Sequence, residues 1–516
     1  MKHAKKLASL LLALVMVFAL TTTVFAEETT YSITINNSTE GHTYEAYQIF
    51  TGDLFIKENG DKVLSNIVWG SGVSEAGKTA LGDAAAKAET LKIEADAVAF
   101  AKAVAPYLTT AAGSTSTVTD GKYVISGLAA GYYLVKDKDG SLTGNADAYT
   151  EYIIKVVSNT TATPKSSVPT VEKKVKDTND STGVTSGWQD SADYDIGDTV
   201  PFQLKATLAN NVSSYTTYKV VFHDTLSKGL TYNGDAKVCI GATETNDFTV
   251  TSTVNADGTT TLTVSCDDVK ALGAGNSSAI TVEYTAKLNE NAVLGSAGNP
   301  NEVYLEYSNN PNKSETGNNE TGNTPEDTVI VFTYKTIINK VDSENKPLTG
   351  AAFNLEKLIK GVNGAEDAWV LVKEFTVDAD DPASSFEFTG LDDGTYKLTE
   401  TVTPAGYNTI DPIYFVIEAT HDETADAPNL KTLNAYLTDA NGKKQTEMKD
   451  GESVNIDLGT VDLTAGSITT TVENNSGAQL PETGGIGTTI FYVLGSVLLV
   501  GAAVLLITKK RMSAQK

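Results

Sequence analysis

Short runs in which apolar and polar residues alternate recur along this chain, and they constrain its fold more than any other feature. Residues 31–35, 218–222, 260–264, 279–284, 303–307, 328–334, 414–418 and 468–472 are rich in Val, Ile, Thr and Tyr. Gly, Asn, Asp and Pro separate them. A period of two puts every second side chain on one face, so each run reads as a half-buried strand. Many such strands with polar turns predict a mainly β protein of tandem immunoglobulin-like β-sandwiches. Helical periodicity is confined to residues 75–108, rich in Ala, Lys and Glu, which places one or two helices in the first domain.

Breaks in the pattern divide the chain. A 516-residue chain has room for about three domains. Residues 27–165 form the first. Residues 163–169 are a linker, because Pro164 and Pro169 keep their neighbours extended. Residues 166–334 form a second β-sandwich and 335–475 a third. Residues 476–516 are a tail of different character.

Composition removes several function classes. A net charge of -26 opposes binding to nucleic acid, whose phosphates attract Lys and Arg. Four His and two Cys leave little for a metal centre, and neither a metal-ligand cluster nor a cofactor motif stands out. No Ser-centred nucleophile motif or catalytic carboxylate spacing supports a hydrolase. Cys239 and Cys266 are a candidate disulfide in an oxidising exterior; the alternative is two buried free thiols.

Both ends read as addresses. Lys2, Lys5 and Lys6 precede an apolar run too short to span a bilayer, and Val24 and Ala26 supply the small residues read by a signal peptidase. Cleavage after Ala26 leaves Glu27 as the first mature residue. At the other end stands Leu480-Pro481-Glu482-Thr483-Gly484. An apolar stretch over 486–507, long enough to cross a membrane, and the cluster Lys509, Lys510 and Arg511 follow it. In this order the three parts resemble the cell-wall sorting signal of Gram-positive surface proteins. The resemblance implies that a sortase thiol attacks the carbonyl of Thr483, releases Gly484 onward and passes the acyl group to an amine.

A pattern of buried Lys and Asn recurs in the second and third domains. Alternation puts Lys173 on one face with Val171 and Val175, and Asn309 on one face with Val303, Leu305 and Tyr307. Lys340 shares a face with Ile338, and Asn474 with Ile468, Thr470 and Val472. In the second domain alternation leaves Lys174 and Asn310 open as alternatives. A buried Lys is costly as an ion, and the ordinary outcome is snorkelling to the rim or pairing with an acid. The sharper expectation is a neutral amine, since desolvation lowers a Lys pKa. With a carboxylic acid to shuttle protons, such an amine can attack an Asn side-chain carbon and expel ammonia, leaving a Lys–Asn isopeptide bond.

Residues 340–355 (KVDSENKPLTGAAFNL) and 395–407 (TYKLTETVTPAGY) resemble the collagen-adhesin B-type domain of Gram-positive pilins. That resemblance makes Glu400 the catalytic acid of the third domain. Residues 222–226 (FHDTL) and 307–311 (YSNNP) resemble the isopeptide-forming second domain of the same pilins, which carries the acid onto Asp224. The first domain departs from the pattern: its opening strand at 31–35 has no Lys, and 131–137 (GYYLVKD) has no Glu where the acid is expected. No internal bond is expected there. Major pilins carry a Lys in a Tyr-Pro-Lys-type motif between domains one and two, and Thr163-Pro164-Lys165 matches that place. Lys165 is thus implied as the amine that accepts Thr483 of another copy, giving a head-to-tail fibre.

The resemblance implies a structural subunit of a sortase-assembled covalent pilus at the cell wall. Its partners would be other copies of itself, pilus and housekeeping sortases, peptidoglycan, minor pilins and host ligands, with no nucleic acid and no cofactor. The alternative is a wall-anchored monomeric adhesin or minor pilin.

Overall fold

In the computed structural model, residues 29–476 are described apart from 165, 316, 318, 362, 363, 379, 381, 450 and 451, together with positions 498, 499, 502 and 504. The signal peptide, Lys165, the sorting motif and most of the apolar tail lie outside the described residues. Among the described residues no helix is long and apolar enough to cross a membrane.

Strand alternation becomes burial. In Tyr31–Asn36, Tyr31, Ile33 and Ile35 are buried and the residues between them are not. Tyr31–Asn36 lies between Lys122–Leu128, antiparallel, and Thr160–Ala162, parallel. A second sheet orders Lys62–Trp69, Tyr44–Ile56, Gly131–Asp137 and Glu151–Val156. The helical stretch is three short helices, Glu75–Leu81, Ala84–Thr90 and Glu94–Val104. Ser74 and Asp83 cap the first two by accepting from Gly77 N and Ala86 N. Phe100, Ala101 and Val104 of the third pack on Ile49, Phe50 and Leu134.

The middle sandwich has the larger core. Thr170–Val175, Thr199–Thr207 and Ala279–Leu288 are neighbours in one sheet. Val220–Leu226, Asn299–Ser308 and Asp327–Phe332 are neighbours in the other. Phe202, Phe222, Leu262, Val282 and Leu305 fill the space between them and are fully buried. Cys239 lies in Lys237–Ile240 of the first sheet and Cys266 in Thr260–Cys266 of the second. Both are free thiols, so the candidate disulfide is not formed.

In the C-terminal sandwich the first and last strands, Tyr334–Asp342 and Ser467–Asn474, run parallel and adjacent. The facing sheet orders Ala368–Phe375, Ala352–Ile359, Gly394–Val402, Ile413–His421 and Leu430–Thr438. Two glycines press the middle and C-terminal units together. A Cβ on Gly295 would lie 2.4 Å from Gly466 N, and one on Gly466 would lie 2.4 Å from Gly295 Cα. Both have positive φ, +75° and +60°, so this crossing needs glycine twice over. Beside it the ammonium of Lys357, 1% exposed, is bound by Asp180 Oδ2 at 3.2 Å, Asp195 Oδ2 at 2.7 Å and Asp392.

Candidate isopeptide-forming sites

Lys173 is fully buried on the edge strand Thr170–Val175, opposite Leu204. Its Nζ donates to Asp224 Oδ1 and, at 3.2 Å, to the hydroxyl of Tyr284. Tyr284 in turn donates to Asp224 Oδ2. Burial pushes the Lys173 amine below its usual range against the pull of Asp224, and pushes Asp224 up against the pull of Lys173. Both shifts favour the neutral pair, in which the proton sits on the carboxyl and the amine keeps its lone pair.

The carboxamide beside this pair belongs to Asn301. Its Nδ2 donates to Tyr284 Oη at 2.7 Å, and its Oδ1 is buried with no partner. Asn301 is fully buried and faces Leu226, while Asp224 faces Val303 on the same strand. Lys173, Asp224, Tyr284 and Asn301 thus form one closed polar cluster inside an apolar core.

Asn309 is elsewhere, which corrects the sequence-based pairing. Its Nδ2 donates to Leu142 O at 3.0 Å and Asp147 O at 3.2 Å, both in the N-terminal unit. Asn301 and Asn309 share strand parity, but eight residues of strand separate them by about 27 Å. Parity chose the correct face and left the position along the strand open. Pro300 hides Asn301 in sequence, because proline within a run argues against a strand, and reading the strand from Val303 missed it. The structure also separates the other two alternatives. Lys174 points outward to Asp190, and Asn310 donates to Glu320 Oε2 at 3.2 Å.

The C-terminal unit gathers the residues expected of it. Lys340 is fully buried and lies opposite Val472, two residues before the pairing of Asp342 with Asn474. Lys340 Nζ donates to Val341 O at 3.1 Å and Val472 O at 2.9 Å. Burial lowers its pKa, although Glu400 opposes the shift. Asn474 Nδ2 donates to both Glu400 oxygens, at 2.9 and 3.1 Å, and Asn474 Oδ1 is buried without a partner. In both units, then, a buried amine of depressed pKa, a buried acid and a carboxamide with a bare oxygen converge. Lys357 is the instructive contrast. It is equally buried, but three carboxylates hold its pKa well above the usual range, so it stays an ion.

The N-terminal unit buries a different cluster. His42 Nδ1 bonds Asp137 Oδ1 at 2.7 Å and Nε2 bonds Asp147 Oδ2 at 3.0 Å, between the rings of Tyr44 and Tyr123. Burial alone would lower the imidazole pKa. The hydrogen bonds and charges of Asp137 and Asp147 outweigh it and raise the value from 6.5 to about 9. A raised histidine stabilises the fold below its unfolded pKa, and that stability disappears as pH climbs through the folded value. The unfolding free energy of the N-terminal unit should therefore fall between about pH 6.5 and 9, by about 3 kcal/mol in total. His42→Gln should flatten that slope in urea titrations across the range.

Comparison with known proteins gives three matches along the chain. Residues 196–311 match the Gram-positive pilin backbone subunit 2, Cna-B-like domain; residues 335–431 match the prealbumin-like fold domain; and residues 472–513 match the LPXTG cell wall anchor motif. The trypsin-resistant surface T6 protein of Streptococcus pyogenes serotype M6 is 26% identical across 94% of this chain and 96% of its own length. The solved structure of the T6 backbone pilin of that organism, a modular three-domain protein, superposes with a TM-score of 0.54. It is 19% identical, over 88% of this chain and 100% of that one. The full-length major pilin SpaD of Corynebacterium diphtheriae superposes with a TM-score of 0.47 at 18% identity, over 87% and 98% of the two chains.

Proposed function

We infer that this chain, which carries a Gram-positive pilin backbone domain, a prealbumin-like domain and an LPXTG wall anchor, is the repeating subunit of a sortase-assembled pilus on a Gram-positive cell surface. Its role is structural, and the only catalysis in this reading is of its own cross-links. The observation that carries it is the pair of buried Lys–acid–Asn clusters in successive sandwiches. In each, the neutral amine attacks the Asn side-chain carbon. The new C–N bond replaces the old one, and the amine proton leaves with the amide nitrogen as ammonia. Asp224 and Glu400 shuttle the protons. The bonds in this reading are Lys173–Asn301 and Lys340–Asn474.

The link between subunits joins Thr483 of one copy to Lys165 of the next. Described residues flank position 165 in the sequence on both sides. Ala162 pairs with Ile35, and Thr163 Oγ1 accepts from Asn36 at 3.2 Å. On the other side Ser167 Oγ accepts from Asn210 N at 2.9 Å and a strand resumes at Thr170. Lys165→Ala should abolish the high-mass ladder of wall extracts on a denaturing gel and leave wall-linked monomer. A ladder that persists means another lysine accepts Thr483. If the unsubstituted protein gives no ladder, the chain is a monomeric wall protein.

A further inference from the structure

Where the middle and C-terminal units meet, three side chains converge that neither the isopeptide clusters nor the sorting signal uses. Asp177 and Asp193 come from the middle unit and His421 from the C-terminal one. One ligand atom of each lies within 4.8 Å of the other two. The tautomer of His421 follows from its neighbours. Ser191 Oγ donates its single proton to Asp422 O at 2.6 Å, so it must accept from His421 Nδ1–H, 2.7 Å away. That leaves Nε2 of a neutral imidazole as a lone pair, aimed at Asp177 Oδ2 at 3.5 Å.

A lone pair facing a carboxylate is repulsive unless something positive lies between them. The 3.5 Å separation is long for a hydrogen bond. It is close to the edge of a tetrahedron with bonds of about 2.0–2.1 Å, the span of two ligands on one zinc ion. Two further polar atoms lack partners here. Asp177 Oδ1 is buried without one. The Tyr334 hydroxyl, fully buried, faces Asp193 without a well-formed hydrogen bond.

We propose that Asp177, Asp193 and His421 form a binding site for a divalent transition-metal cation of the zinc class, which clips the middle unit to the C-terminal unit. Two carboxylates and an imidazole suit zinc, whereas calcium takes six to eight oxygens. Ser191 is the positioning residue, fixing the imidazole through Nδ1 as outer-shell partners of metal ligands do.

The test is calorimetric titration of the full chain lacking its signal peptide with zinc chloride, and separately with calcium chloride. One zinc per chain is expected, with a rise in unfolding temperature that a chelator reverses. His421→Ala and Asp177→Asn should remove the binding. Ser191→Ala, which keeps every ligand, should weaken it by about 10–100-fold. Absence of zinc binding overturns the proposal and leaves a direct contact between His421 and Asp177. Binding that survives both ligand substitutions, or calcium binding as tight as zinc, overturns it equally.

Discussion

If the two proposed internal cross-links form, Asn301→Ala is expected to remove one of them, and intact mass reads this directly. The unsubstituted mature chain should be lighter than its sequence mass by two ammonia molecules. The Asn301→Ala chain should be short of its own sequence mass by one, as should Asp224→Ala. Asn309→Ala should remain short by two, because its side chain faces Leu142 and Asp147 and not Lys173. On the chain-entropy account of cross-links, closing a loop of roughly a hundred residues stabilises by about 4–5 kcal/mol. A loss of that size, measured by denaturant unfolding, should accompany the missing bond. Glu400→Ala should do the same in the C-terminal unit, through Lys340 and Asn474. A deficit of two ammonia molecules in Asn301→Ala would sink the Lys173–Asn301 assignment.

Lys357→Ala should be nearly as damaging, for an electrostatic reason. The ammonium is the shared counter-ion of Asp180, Asp195 and Asp392. Its removal strands carboxylates at a seam where Asp392 is fully buried and one of its oxygens already lacks a partner. Breaking a buried pair from one side costs about 3–5 kcal/mol. Burial, then Asp195, hold the Asp392 carboxyl well above its ordinary range, although Lys357 pulls it down. Without the ammonium it rises further. The deficit should therefore shrink as pH falls and Asp392 takes a proton, since a neutral acid needs no counter-ion. Urea unfolding at neutral and mildly acidic pH tests both the size and its slope. A loss below about 1 kcal/mol, in the range of an exposed pair, would mean that water reaches the seam.

The fold was legible because alternation is a local signal. Each run read as a strand lies in or overlaps one, and Lys173, Lys340 and Asn474 all turn inward as their parity requires. The failures share a cause. Parity fixes a face and says nothing of how far along a strand a residue meets its partner, so it points to Asn309 where the structure sets Asn301 beside Tyr284. The break at Thr333 between Asp327–Phe332 and Tyr334–Asp342 was invisible for a related reason, since apolar residues continue across it. Lys357 lies on the strand Ala352–Ile359 and its three aspartates on connections of two units, and no spacing in the sequence links them. His42 is similar: its partners lie 95 and 105 residues away. Tyr284 was read as a strand residue, and only the assembled core shows its hydroxyl joining an acid to a carboxamide.

The parallel pairing of Tyr334–Asp342 with Ser467–Asn474 determines where a stretched fibre carries its load. With both bonds formed, a pull on the C-terminus crosses from Asn474 to Lys340 and runs down one strand into the middle unit. Residues 341–473 hang beside the load line, and no hydrogen bond in that sandwich need break. The middle unit is different. Its bond joins Lys173 to Asn301, so residues 174–300 are bypassed while 302–333 stay in series with the pull. That segment includes Asn309, whose amide grips the N-terminal unit. An overstretched filament should therefore yield first in this one short length, and recoil from it, while the rest of each subunit stays folded.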